Sequence, residues 1–183
     1  ERAQNIQQIY AVIAEYLEWR STRLGNDQGS VLISARDEHG QPFDQQDVLN
    51  CGFLLFVAGL DTVTSTMTFI WRHLARNAEA RRELVGMIDD REKLTVAVDE
   101  LLRIHSVPNI YRRVKKNMVY RGITMKENDR VVLPCSVANR DEKVFEHADV
   151  IDLHRQINNH LTFGAGPHRC VGAGLARMEV IAF

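Results

Sequence analysis

No proline interrupts the chain between Gln45 and about Arg76, and from Phe53 to Val57 this run is apolar nearly all round. Asp44 has the short oxygen-bearing side chain that caps a helix, and Asp47 follows three residues later. The pattern predicts a helix over 45–76. A helix that is apolar around its circumference has no face for water, so it is expected to run through the interior of the protein. Such an element needs partners on several sides, and the rest of the sequence is rich in helices to provide them.

Ile6, Ile9, Tyr10, Ile13 and Leu17 recur at steps of three and four, which places residues 2–24 on an amphipathic helix ended by Gly25. A short helix from about Gly29 to Arg36 follows, then a turn cluster over 37–42. Residues 77–88 and 93–105 read as two further amphipathic helices. After Pro108 the pattern changes. Met118-Val119-Tyr120-Arg121 and Arg130-Val131-Val132-Leu133 are β-prone runs separated by turn residues, and they are expected to pair as one small hairpin. Residues 134–169 hold few periodic segments, and long irregular stretches in compact domains are usually functional. Val171 to Phe183 reads as a helix with Leu175, Met178 and Ala182 on one face. With only 11 glycines and 4 prolines in 183 residues, the expected class is mainly α with a minor β-hairpin region.

Charge and cysteine usage narrow the function. Lys and Arg number 23 against 24 Asp and Glu, a net charge of -1, so no broad basic footprint for nucleic acid or an anionic membrane is expected. Cys51, Cys135 and Cys170 form no CxxC pair and are odd in number, which fits neither a zinc cage nor a disulfide framework and points to a reducing, cytoplasmic setting. The longest charge-free apolar stretch, Val48 to Leu60, has 13 residues, below the about 18 that a membrane span needs, so no span is expected. Residues 1–20 have no signal-peptide pattern, and the start without Met and the end in mid-pattern are expected of a fragment.

One cysteine sits where chemistry is expected. Cys170 lies between a glycine-rich loop, Gly164-Ala165-Gly166-Pro167, and the last helix, with His168 and Arg169 beside it. Helix N-termini and nearby cations make a thiol a better nucleophile or metal ligand, although a lone cysteine is more often a small buried hydrophobe. The whole segment from Phe163 to Gly174 resembles the haem-binding loop of the cytochrome P450 superfamily, with its Phe, Gly, basic residue, Cys and further Gly at fixed spacing. Ala58-Gly59-Leu60-Asp61-Thr62 resembles the same family's oxygen-activating segment on its long central helix, and Glu100-Leu101-Leu102-Arg103 its Glu-x-x-Arg helix. Ala138-Asn139-Arg140-Asp141 and Asp152-Leu153-His154-Arg155 resemble further family segments. His168 where the family usually has Arg, and Val63 after the helix threonine, resemble the soluble bacterial camphor-hydroxylase branch.

The resemblance covers residues 1–183 and implies part of a single domain: the C-terminal, haem-binding half of a cytochrome P450, with the central helix at 45–76, the Glu-x-x-Arg helix at 93–105 and the haem-thiolate loop at 163–172. It implies haem b with Cys170 as the iron ligand, thiolate ligation being the kind that favours O–O cleavage. The resemblance further implies that Phe163, Gly164, Ala58 and Gly59 line the cofactor, that Arg112 binds a propionate with Arg113 as the alternative, and that His168 holds a propionate from the opposite side. A glycine inside a helix costs about 1 kcal/mol, which is intelligible at Gly59 if the backbone must leave room for a diatomic ligand. By the resemblance Thr62, which alone reads as a packed residue bonding the Ala58 carbonyl, becomes a hydrogen-bond donor toward dioxygen, and Asp61, which alone reads as a salt-bridged helix residue, delivers protons. Glu100 and Arg103, worth only about 0.2–0.5 kcal/mol as a generic i, i+3 pair, become a buried network joined by Arg155.

The implied reaction is insertion of one oxygen atom of O2 into a C–H bond of a small apolar substrate, a terpenoid being one class. Electrons come from NAD(P)H through ferredoxin reductase and a ferredoxin docking near Cys170. The alternative is a haem-binding or structural fragment without turnover, since half of the pocket lies outside these residues. On that reading the fragment alone is inactive.

Overall fold

Asp44 does cap the long helix, its carboxylate accepting from Asp47 N–H at 2.7 Å, and α3 runs from Gln45 to Arg76. The computed structural model describes residues 2–183. Two compact units divide within α3, at Glu1–Asp61 and Thr62–Phe183.

In the first unit, α1 (Arg2–Ser21) and the seven-residue α2 (Gln28–Ser34) accompany the N-terminal half of α3. Asp27 caps α2 by accepting from Ser30 N–H at 3.0 Å. The Tyr10 ring stacks on Phe53 with centroids 4.3 Å apart, and its hydroxyl donates to Asn50 Oδ1 at 3.1 Å, which pins α1 to α3.

The second unit holds the core. Asn77 caps α4 (Ala78–Val85), and Asp90 caps α5 (Arg91–Ile104) by accepting from Lys93 N–H at 3.1 Å. Seven of the fourteen residues of α5 are buried, and Ala97, Val98, Leu101 and Leu102 pack with Ile70, Leu74, Met87 and Leu153. A fully buried Leu side chain contributes about 1.5–3 kcal/mol, so α5 is the element on which this unit condenses. The last helix, α7 (Ala173–Ala182), closes the core with Ala173, Val180 and Ile181. Its inward face is not the one the sequence pattern predicts: Leu175 and Met178 are more than half exposed.

The strands pair differently from the expected hairpin. β2 (Met118–Tyr120) pairs with β3 (Ile123–Met125), while β4 (Arg130–Pro134) pairs with β1 (Asn109–Arg113), both antiparallel. Arg121 and Gly122 both have positive φ, 50° and 81°, the two-residue reversal whose twist matches a hairpin, so the chain turns back immediately after Tyr120. β4 is thereby free to pair with a strand ahead of β2. A short helix, α6 (Cys135–Ala138), follows, and from 139 to 172 the only regular structure is a 3-10 turn at Gly166–His168.

One expectation about α3 fails. Only Thr66, Ile70 and Leu74 are buried, and Leu54, Leu55, Phe56, Val57 and Leu60 are exposed, so the all-round apolar segment does not run through an interior within this chain. By length and composition α3 is also apolar enough to cross a membrane, because the single Asp61 interrupts the charge-free run without making the segment polar. Core helices of soluble proteins meet the same criterion.

Candidate functional site

Glu100 and Arg103 are both fully buried, and charges in that position must be completely partnered. They are. Arg103 Nε and Nη2 each donate to a Glu100 oxygen at 2.7 Å, and its other donors reach the carbonyls of Asn139 (2.6 Å), Ala148 (2.7 Å) and Val150 (3.3 Å). Glu100 also accepts from Arg155 Nε, Asp152 N–H and Asn158 Nδ2, each at 3.0 Å. Burial pushes the Glu100 carboxyl up, but the hydrogen bonds from Arg103 and Asp152 and the charges of Arg103 and Arg155 hold it below the ordinary carboxylate range. One turn of α5 thus grips the irregular stretch from Asn139 to Asn158.

Asn139 is the member that sequence reasoning missed. Fully buried, it donates from Nδ2 to Arg103 O (3.2 Å) and Thr162 Oγ1 (3.0 Å) and accepts from Leu161 N–H at 2.7 Å. Thr162 donates in turn to Leu102 O at 2.9 Å. An Asn beside the short helix α6, inside a motif already singled out, was the available signal; its partners lie 22 to 36 residues away and leave no periodic trace.

This framework leads into the cysteine loop. Phe163 packs against the core cluster, and its carbonyl accepts from Cys170 N–H at 2.8 Å, closing a loop of eight residues. Gly164 has φ +69°, a conformation that L side chains rarely adopt, and a Cβ there would lie 3.5 Å from Ile110 Cδ1. The Cys170 thiol is exposed, whereas Cys135 is buried and its thiol is pushed up by burial; Cys51 is exposed on α3 in the other unit. Cys170 O accepts from Ala173 N–H at the start of α7, so the thiol stands at a loop-to-helix junction.

Arg112 and Arg113 are both exposed on β1, on opposite faces of the strand. Ile110 reaches toward Gly164, so Arg112, two residues further on, shares the face of β1 that looks at the cysteine loop. Arg112 Nη1 donates to Tyr111 O at 2.9 Å. His168 ends the 3-10 turn and is exposed. On α3, Ala58, Gly59, Asp61 and Thr62 are all exposed, and a Cβ at Gly59 would meet nothing within 4 Å.

The residues suit a haem. An accessible lone thiol, a basic histidine two residues before it and an arginine on the facing strand are the donors an iron porphyrin with two propionates needs. Among the described residues no three His, Cys, Asp or Glu side chains group to hold a bare metal ion.

Comparison with known proteins agrees. Residues 2–183 match the family model "Cytochrome P450". A probable cytochrome P450 127A1 of Sinorhizobium fredii is 37% identical over 173 residues, 94% of this chain and 41% of that protein. The mycinamicin IV hydroxylase/epoxidase of Micromonospora griseorubida is 32% identical over 183 residues, 98% of this chain and 45% of the relative. Among solved structures, CYP109E1 from Bacillus megaterium in complex with testosterone superposes with a TM-score of 0.87 at 29% identity, covering 98% of this chain and 49% of that one. Cytochrome P450 CYP101C1 gives 0.88 at 31% identity, covering 98% and 46%. The chain belongs to the cytochrome P450 family and spans less than half the length of these relatives.

Proposed function

We propose that the chain is the haem-ligating half of a bacterial-type monooxygenase that hydroxylates a small apolar organic molecule. The observation that carries this reading is the exposed Cys170 thiol, held at the end of a loop closed by the Phe163 carbonyl and braced through Asn139 and Thr162 on the buried Glu100 network. Haem b bound there supplies activation of O2 and transfer of one oxygen atom to substrate, with electrons from NAD(P)H through ferredoxin reductase and ferredoxin. Cys170 donates the axial sulfur, Phe163 and Gly164 shape the loop beneath the ring, and Arg112 and His168 pair the propionates. A planar guanidinium fork matches a carboxylate, and its position on the face toward Gly164 favours Arg112 over Arg113.

On α3, Ala58 and Gly59 leave space beside the helix, Thr62 orients a proton donor one turn beyond Ala58, and Asp61 replenishes protons. The setting is cytoplasmic. The substrate class stays broad: the matched proteins' own names mention mycinamicin and testosterone as well as vitamin D3, which widens it beyond a terpenoid. A haem-binding fragment without turnover is the reading favoured by one observation, the exposed apolar run from Leu54 to Val57.

The test is coupling efficiency in haem-loaded protein, with a substrate chosen from a steroid, macrolide and monoterpenoid panel by its shift of the haem absorption. Thr62→Ala should leave haem and substrate binding intact while product per NAD(P)H falls roughly tenfold or more and hydrogen peroxide accumulates. Asp61→Asn should instead slow oxygen consumption itself. Wild-type product yield in Thr62→Ala would make the hydroxyl a packing group and remove the proton-handling role from this segment.

A further inference from the structure

Asp99 and Glu100 are neighbours on α5 but hold different segments. Glu100 grips residues 139–158, whereas Asp99 meets two residues that flank Cys170 at a distance in sequence, His160 and Arg177. Arg177 Nε donates to Asp99 Oδ1 at 2.6 Å, and the guanidinium carbon lies 4.6 Å from the centre of the Phe163 ring. The His160 ring lies 5.7 Å from the same ring on a tilted plane. Its side chain is only 2% exposed, and Nδ1 accepts from Thr162 N–H at 3.3 Å, so in the neutral ring the proton sits on Nε2. That buried Nε2 has no hydrogen-bond partner and lies 3.6 Å from the Asp99 oxygen that Arg177 already holds.

A staple between α5 and α7 would need only apolar side chains, since ion pairs withdrawn from water are weak stabilisers. What this cluster adds is direction. Asp99 orients the guanidinium plane, the guanidinium and the imidazole fix the Phe163 ring, and the Phe163 carbonyl holds the Cys170 N–H. We propose that Asp99 is a positioning residue for Cys170, acting through Arg177, His160 and Phe163 to set how the thiolate is presented to the haem iron. The inference rests on the haem-thiolate reading above.

The test uses haem-loaded protein, with Asp99→Asn, Arg177→Lys and Cys170→Ser compared with wild type. The readouts are the ferric/ferrous midpoint potential, the carbon monoxide spectrum of the reduced protein and the thermal melt. A loosened thiolate donates less to the iron, so Asp99→Asn and Arg177→Lys should both raise the midpoint potential and split the carbon monoxide band into a thiolate-type fraction and a second one. Arg177→Lys is decisive, because it keeps the charge and loses the planar stack, so a purely Coulombic effect would leave its potential at the wild-type value. It also decides alone if Asp99→Asn does not fold. Wild-type potential and spectrum in Arg177→Lys, whatever its melt, would overturn the positioning role. A thiolate-type band surviving in Cys170→Ser would overturn the haem-thiolate reading instead.

Discussion

Glu100 accepts five hydrogen bonds and Arg103 donates five, both side chains being fully buried, and this saturation decides what a substitution there does. Removing one partner leaves the other charge stranded out of water. Glu100→Ala should therefore cost about 3–5 kcal/mol and yield protein that loses haem, measured by chemical denaturation and by the haem-to-protein ratio after gel filtration. Full haem loading with an unchanged denaturation midpoint would contradict the role of the network in holding the cysteine loop. The family resemblance made the Glu100–Arg103 network legible in the sequence, where the i, i+3 spacing alone reads as a generic pair. Asn139, Asn158 and Thr162 were not, because they bond backbone and side-chain groups 22 to 60 residues away, and such contacts follow from the path of the chain rather than from any local pattern.

Helices were the most legible elements, since the cap at Asp44 and the 3.6-residue period are local signals. Strand pairing was not: β2 and β4 were recognisable as strands, but their partners depended on the reversal at Arg121-Gly122 and on β1, whose Asn-Ile-Tyr-Arg-Arg sequence carries no alternation. The end of α5 adds a pH dependence. His105 caps this helix, and its ring lies 5.3 Å from that of His73 on α3, with the Arg140 charge also near. Burial, then those two charges, lowers its pKa from 6.5 to about 4. The unfolded chain binds a proton near 6.5 and the folded chain only near 4, so the unfolded state holds more protons between these values. Stability contributed by neutral His105 is complete above about pH 6.5, declines as the pH falls toward 4 and is lost below that, on the order of 3 kcal/mol in all. His105→Gln should flatten the decline in denaturation midpoint between pH 6.5 and 4; an unchanged slope would mean that His105 titrates alike in both states.

At the scale of the whole chain, the family was legible because three motifs lie in fixed order: the segment 58–62 on α3, the Glu100–Arg103 pair, which is buried, and the cysteine loop with its glycine at φ +69°. The interior position expected of α3 was not realised, because an all-round apolar pattern records that a helix is covered without saying by which chain segment. The exposed Leu54, Leu55, Phe56 and Val57 form the kind of contiguous apolar surface that soluble chains keep covered. Haem-thiolate chemistry in this chain rests on one atom, the Cys170 sulfur. The direct measurement is the carbon monoxide difference spectrum of the reduced, haem-loaded protein, wild type beside Cys170→Ser and Cys135→Ser. The thiolate-type band should be present in wild type and Cys135→Ser and absent in Cys170→Ser, because serine offers no sulfur ligand. A thiolate-type band that persists in Cys170→Ser would place the iron ligand elsewhere and contradict the account at its centre.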